Sequence, residues 1–248
     1  MLTAEQKRLY EENGFVVIEP VFDDSELNAL RQAADDLLEH SGPIHPDNLR
    51  LQIEPDLLDG EQIVRKIEPI IDVVPALEDL VTDKRMTEPV EDLFGEEVVL
   101  FEDKLNYKPP RIGSAYPLHQ DYAYWQAHTD RLITVGLLLD DATAENGCLR
   151  FVAGSHTSGL LPRENDHHRI ITFDVDPTLA VDGPGQAGGL VLFSCYTAHH
   201  SYLNRTATGR RVILYTYNPV SDGDTYPDYK GAQGRDCREW LATYEQTR

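Results

Sequence analysis

The segment Pro117-Leu118-His119-Gln120-Asp121-Tyr122 places an imidazole and a carboxylate two positions apart. At a strand end that spacing turns His119 and Asp121 to one side and Gln120 to the other, because side chains alternate along a strand. Alone, such a pair is common as a satisfied surface contact. Further imidazoles arrive in Ala198-His199-His200-Ser201-Tyr202-Leu203-Asn204-Arg205-Thr206, directly after an apolar strand. Two imidazoles and one carboxylate on one face of a metal leave three positions open, the donor set with which non-haem iron(II) oxygenases admit a co-substrate and oxygen. No CxxC pair accompanies them, so a thiolate zinc site is not indicated.

Arg210 stands at the start of the next strand-like run, Arg211–Tyr217. A guanidinium presents a planar pair of donors that matches a carboxylate, so an inward Arg210 could hold the far carboxylate of a dicarboxylate; an outward one would only open an edge strand. Tyr122, Tyr124 and Trp125 follow the His-x-Asp pair with aromatic bodies and polar tips, as a small-molecule pocket wall requires, although packing on a barrel rim would use them equally well.

The elements that must position these groups follow from local signals. Thr3 with Gln6 has capping-box spacing and opens a helix over residues 4–12 that Gly14 ends; a strand Phe15–Ile18 comes next. Asp23 with Glu26 repeats the spacing, and Leu27, Leu30, Leu37 and Leu38 mark the apolar stripe of a helix that stops near Gly42. The pattern stays mainly helical to about residue 95. Beyond Gly95, runs rich in β-branched and aromatic residues alternate with turn residues: Val98–Tyr107, Leu132–Leu139, Cys148–Val152, Ile170–Val175, Leu190–Tyr196 and Arg211–Tyr217. Short strands at such intervals read as a β-sandwich or jelly roll. Without a linker or repeat, residues 1–248 read as one domain, mainly β with flanking helices, the helical first third packed on the barrel.

Forty-three Asp and Glu against 22 Lys and Arg give a formal charge of -21. That field repels phosphate backbones and anionic bilayers, which disfavours nucleic-acid and membrane partners. The charged N-terminus and the lack of a long apolar run point to a soluble cytoplasmic protein, in which the three cysteines, Cys148, Cys195 and Cys237, are reduced.

With these residues assembled, the chain resembles the phytanoyl-CoA dioxygenase family, which includes ectoine hydroxylase-like enzymes. The matching features run in order through most of the chain: the N-terminal helix and the GFVVIE strand, Leu105-Asn106-Tyr107-Lys108-Pro109, the HQD triplet, Asn146-Gly147-Cys148-Leu149, Gly154-Ser155-His156, and the His-x-Ser-x-x-Asn-x-Thr run that leads to Arg210. The resemblance implies a double-stranded β-helix with iron(II) held by His119, Asp121 and His199, and it prefers His199 to His200, which is the fallback. It implies that Asn106 and Ser201 contact 2-oxoglutarate and that Arg210 pairs with its distal carboxylate. Lys104 joins them as a candidate, since it shares a strand face with Asn106. The resemblance also makes Trp125 a pocket residue and the Gly-Ser-His turn structural, with His156 no ligand; His167 and His168 read as solvated loop residues. The implied reaction couples decarboxylation of 2-oxoglutarate by O2 to hydroxylation of a small molecule. Desaturation, epoxidation and ring closure are alternative outcomes of the same chemistry, and a non-catalytic ligand-binding jelly roll is the alternative of another class. A free metabolite or amino-acid derivative is preferred to an acyl-CoA, because the chain shows no basic cluster for the coenzyme's phosphates.

Overall fold

The structure, a computed structural model, describes residues 1–164, 169–170 and 176–232. In chain order the elements are α1 (Ala4–Asn13), β1 (Phe15–Ile18), α2 (Asp24–His40), β2 (Leu51–Ile53), β3 (Val64–Ile67), α3 (Pro75–Leu80), α4 (Lys84–Phe94), β4 (Val98–Lys108) and β5 (Tyr116–His119). Then come β6 (Ile133–Leu138), β7 (Leu149–Phe151), β8 (Arg163–Glu164), β9 (Arg169–Ile170), β10 (Val181–Asp182), β11 (Leu190–Ser194), β12 (His199–Ser201), β13 (Arg210–Pro219) and α5 (Tyr226–Ala232). A seven-stranded sheet, in the order β1-β11-β6-β13-β4-β3-β2, is accompanied by a four-stranded sheet, β10-β7-β12-β5. All the pairings are antiparallel. The architecture is the expected double-stranded β-helix, a jelly roll with flanking helices.

Side-chain alternation in the large sheet separates two apolar layers. On β6, β11 and β13 the residues Val135, Leu137, Leu190, Leu192, Ile213 and Tyr215 join Leu27, Leu30, Ala34 and Leu37 of α2 in the main core. The alternate residues Leu138, Val191, Phe193, Val212 and Leu214 pack instead with Phe151 of the small sheet. Every residue of β6 is therefore buried, which explains why its sequence is a continuous apolar run and not an alternating one.

Both capping boxes form, at Thr3 with Gln6 and at Asp23 with Glu26. Gly14 closes α1 at φ 80°, in the left-handed region where a side chain is disfavoured. Leu38, expected in the buried stripe of α2, is 39 % exposed, and Ala33 and Ala34 line that face in its place. The first third is less helical than expected, since β2 and β3 interrupt it. Val64-Arg65-Lys66-Ile67 lacks the alternation that marks a half-buried strand; it is ordered by pairing with β4, a long-range contact with no local signature. The expected strand Ile170–Val175 lies outside the described residues apart from Ile170, the last residue of β9, and His167, His168 and Cys237 lie outside them too. Cys148 and Cys195 are buried free thiols.

Candidate metal centre

The small sheet brings the histidines together: β12 lies beside β5 with His199 directly opposite His119. Their ring centroids are 4.3 Å apart. Asp121 begins the 3-10 turn after β5. Its Oδ1 lies 3.5 Å from His119 Nε2 and 3.9 Å from His199 Nε2. The three candidate ligand atoms all fall within 4.8 Å of one another, the spacing of donors around one ion. His200 points elsewhere, against Tyr202, and is not a member of the cluster.

Each ring is aimed by the main chain. His119 Nδ1 lies 2.7 Å from the Pro117 carbonyl oxygen, and His199 Nδ1 2.9 Å from that of Thr197. A carbonyl only accepts, so Nδ1 carries the proton and the Nε2 lone pair is left for a metal. Burial, with the charges of His119 and Lys104, pushes the His199 imidazole down to about 4, so it is neutral at pH 7. For Asp121 burial works the other way, but Lys104 and the two histidines override it and hold the carboxyl below the ordinary range. Its buried Oδ2 has no hydrogen-bond partner. Two imidazoles with Nε2 turned inward, an ionised carboxylate and an orphaned carboxylate oxygen fit a divalent cation. Gln120, as alternation requires, faces away: its amide donates to the carbonyls of Gly159 and Tyr196 and accepts from Leu161 N, bracing the loop behind the cluster.

The cluster opens into a cavity of about 320 Å³ that reaches between the two sheets. On one side of it β13 places Arg210 opposite Lys108 of β4. Arg210 is 5 % exposed and its Nε has no partner. Asn106 Oδ1 is likewise buried and unpartnered, and Ser201 lies at the end of β12, 1 % exposed. Burial, with Arg210 and Arg65 nearby, pushes the Lys108 ammonium down to about 7. Lys104, two residues along β4 from Asn106, faces the same cavity but donates to Glu102 Oε2 at 2.7 Å and lies 5.5 Å from the centre of the Trp125 ring.

The aromatic candidates separate. Trp125 lines the cavity, 2 % exposed and edge-on to Phe101. Tyr124 stands at the mouth, half exposed, against the edge of His119. Tyr122 lies outside the lining and packs on Tyr196 instead. The reason is helical: in a 3-10 turn, residues three apart eclipse, so Tyr124 shares the face of Asp121 and Tyr122 does not. His156 is no ligand; its Nε2 meets the Glu11 carbonyl at 3.2 Å and ties the turn to α1.

Sequence reasoning missed Lys66, Glu68, Glu102 and Tyr229, all on the cavity wall. Glu102 was findable, because polar residues at 102, 104, 106 and 108 repeat with a period of two in a strand whose other face is apolar apart from Asp103. Burial, together with Glu68 and Asp121, pushes its carboxyl up to about 7 against the pull of Lys104.

Comparison with known proteins agrees with this geometry. The pattern of the family described as Phytanoyl-CoA dioxygenase (PhyH) matches residues 10–212. A 2-aminoethylphosphonate dioxygenase of an uncultured bacterium is 29 % identical over 230 residues, 92 % of this chain and 86 % of the relative. An ectoine dioxygenase of Bordetella bronchiseptica is 28 % identical over 249 residues, covering 92 % and 79 %. Among solved structures, EctD from S. alaskensis with 2-oxoglutarate and 5-hydroxyectoine superposes with a TM-score of 0.75 at 26 % identity, covering 89 % of this chain and 77 % of that one.

Proposed function

The chain belongs to the phytanoyl-CoA dioxygenase family, and from that premise we propose that it is an iron(II)- and 2-oxoglutarate-dependent dioxygenase that hydroxylates a small polar molecule. The observation that carries this reading is the convergence of His119, Asp121 and His199, with both imidazole Nδ1 atoms tied to main-chain carbonyls. In this reading those three side chains hold the metal. The Arg210 guanidinium, whose buried Nε has no partner, receives the distal carboxylate of 2-oxoglutarate, with Ser201 and Asn106 beside it. When bound together, iron(II), 2-oxoglutarate and O2 supply the oxidising chemistry, with succinate and carbon dioxide as co-products. The protein contributes position: Trp125 closes the substrate side of the cavity and Tyr124 guards its mouth, so the substrate carbon held nearest the three ligands is the one oxidised. Hydroxylation is preferred to chlorination because Asp121 fills the third ligand position with a carboxylate. Small charged substrates also fit the relatives' names, an aminophosphonate and ectoine, better than a coenzyme A thioester fits a cavity of about 320 Å³.

The test is succinate formation from 2-oxoglutarate under air with added iron(II). His119→Ala and Asp121→Ala should each lose more than about 100-fold, beyond the 10- to 100-fold that loss of an outer-shell partner costs. Arg210→Lys should instead raise the 2-oxoglutarate KM by about tenfold or more with a smaller change in kcat, since a point charge cannot replace the planar fork. Full activity in His119→Ala, or absence of 2-oxoglutarate binding by the native protein, would leave a non-catalytic binding module.

A further inference from the structure

Away from Arg210 the cavity wall carries two acidic and two basic side chains, the glutamates joined through Tyr229 and a lysine at either end. Lys104 Nζ donates to Glu102 Oε2 at 2.7 Å. The Tyr229 hydroxyl lies 3.2 Å from Glu102 Oε1 and 2.9 Å from Glu68 Oε1. Glu68 Oε2 in turn accepts from Lys66 Nζ. Thr216 donates to Glu102 Oε2 at 3.3 Å. All five charged and phenolic groups line the cavity. Other charges on this wall have partners of their own: Arg50 pairs with Asp72, and Asp103 accepts from Ile70 N, Ile71 N and the Tyr226 hydroxyl.

Holding two lysines and two glutamates largely out of water, with Glu102 buried and the other three partly exposed, is expensive, and an apolar wall of the same volume would serve stability at least as well. A pocket that only needed to exclude water, or to hold an apolar chain, would not keep them. The set is also under-bonded in a directional way. Each ammonium has three N–H groups and donates one of them here, while the single Tyr229 proton is shared by two carboxylate oxygens. Unspent donors at Lys66 and Lys104, and unspent acceptors at Glu68 and Glu102, face the same space.

We propose, on the premise that the dioxygenase reading holds, that this tetrad is a charge-reading subsite for a small zwitterion, its oxyanion taken by Lys104 and Lys66 and its ammonium by Glu102 and Glu68. Net charge decides between the candidates. With Glu102 ionised, the form that an ammonium beside it favours, the wall balances its own charges and gains nothing from a net anion or a net cation, either of which leaves one charge of like sign uncompensated in the cavity. A molecule carrying both signs adds no net charge and gives each of the four groups a second opposite partner. Rejection of the singly charged analogues follows from the same wall, since each would face two like charges at close range.

Equilibrium binding to the protein loaded with iron(II) and 2-oxoglutarate, under nitrogen, tests this without turnover. The probes are proline and β-alanine. Each is compared with the singly charged analogue that lacks the amine (cyclopentanecarboxylate, propanoate) and with its own methyl ester. At least one zwitterion should bind about tenfold or more tighter than its own singly charged counterparts. The double variant Lys66→Met, Glu68→Gln removes one complete ion pair of the tetrad and leaves Lys104 and Glu102 paired, so it should fold, bind iron(II) and 2-oxoglutarate as the native chain does, and lose that discrimination. A panel in which no zwitterion exceeds its counterparts, or a double variant that keeps the preference, overturns the inference. Failure to bind 2-oxoglutarate in the native protein would overturn the dioxygenase reading instead, and the two failures are scored on separate titrations.

Discussion

Lys108 shows how one side chain in the site registers in the stability of the fold. It is 3 % exposed, donates to the Ser114 carbonyl at 2.6 Å, and stands across from Arg210. Burial, Arg210 and Arg65 depress it from 10.5 to about 7. The sign follows from proton counts. Below about pH 7 the ammonium is charged in folded and unfolded chains alike, and the folded chain bears the full cost of burying it. Between there and 10.5 the folded chain releases the proton while the unfolded chain keeps it, so stability rises with pH, by at most about 1.4 kcal/mol per pH unit. Lys108→Met lacks this slope and should be the more stable protein at neutral pH, with its advantage shrinking as the medium becomes alkaline. Urea midpoints of the two proteins across that range measure it, and parallel curves would refute it. At this scale the sequence was readable where residue type sufficed: His119, Asp121, the His199–His200 pair and Arg210 all announce a chemistry. The choice of His199 over His200 was not, because it depends on which side of β12 faces β5. Tyr122 lies outside the cavity lining for a similar reason, since a 3-10 turn begins at Asp121 where strand alternation has ended.

The turn before β7 shows why whole elements were legible unevenly. Asn146-Gly147-Cys148-Leu149 reads as a turn leading into a strand, and Asn146 does what turn asparagines do, accepting from Thr143 N and donating to the Asp141 carbonyl. Gly147 adopts φ +77°, and a Cβ there would strike the Tyr202 carbonyl oxygen and come within 2.7 Å of Lys108 Cε. Gly147→Ala thus combines left-handed strain with a backbone clash. It should cost at least about 2 kcal/mol, lowering Tm by at least about 4 °C in a chain of this size. Because Lys108 is the flexible neighbour that must yield, 2-oxoglutarate affinity should fall as well; a calorimetric Tm within a degree of the native value would show that the turn relaxes freely. Capping boxes and apolar runs carry their meaning in a few adjacent residues, which is why α1, α2, β4, β6, β11 and β13 could be read directly. β3 and β12 are four and three residues long and owe their order to partners distant in sequence, and β2, three residues long, is ordered in turn by β3. The tetrad and the tyrosine that bridges it inherit that obscurity: Lys66 comes from β3, Glu68 from the residue just past it, and Tyr229 from α5.

For the whole molecule, the formal charge of -21 has to be set against the cations Lys66, Lys104 and Arg210 gathered along one cavity. The two fields act over different ranges. Surface carboxylates act on an approaching ligand from outside, through water, where the Debye length shrinks from about 30 Å at 0.01 M salt to about 8 Å at 0.15 M. Cavity cations act at contact, where salt screens little. A dianion such as 2-oxoglutarate must cross the outer negative field before Arg210 can hold it, so added salt should speed its arrival while leaving its departure nearly unchanged. Stopped-flow binding of 2-oxoglutarate to the iron(II)-loaded protein should give an association rate that rises roughly threefold over that salt range, with a dissociation rate that stays constant. A small zwitterion, with no net charge for the outer field to act on, should associate at a rate independent of salt. An association rate for 2-oxoglutarate that falls with salt would mean that the cavity's cations reach past the acidic surface and govern the encounter as well as the grip.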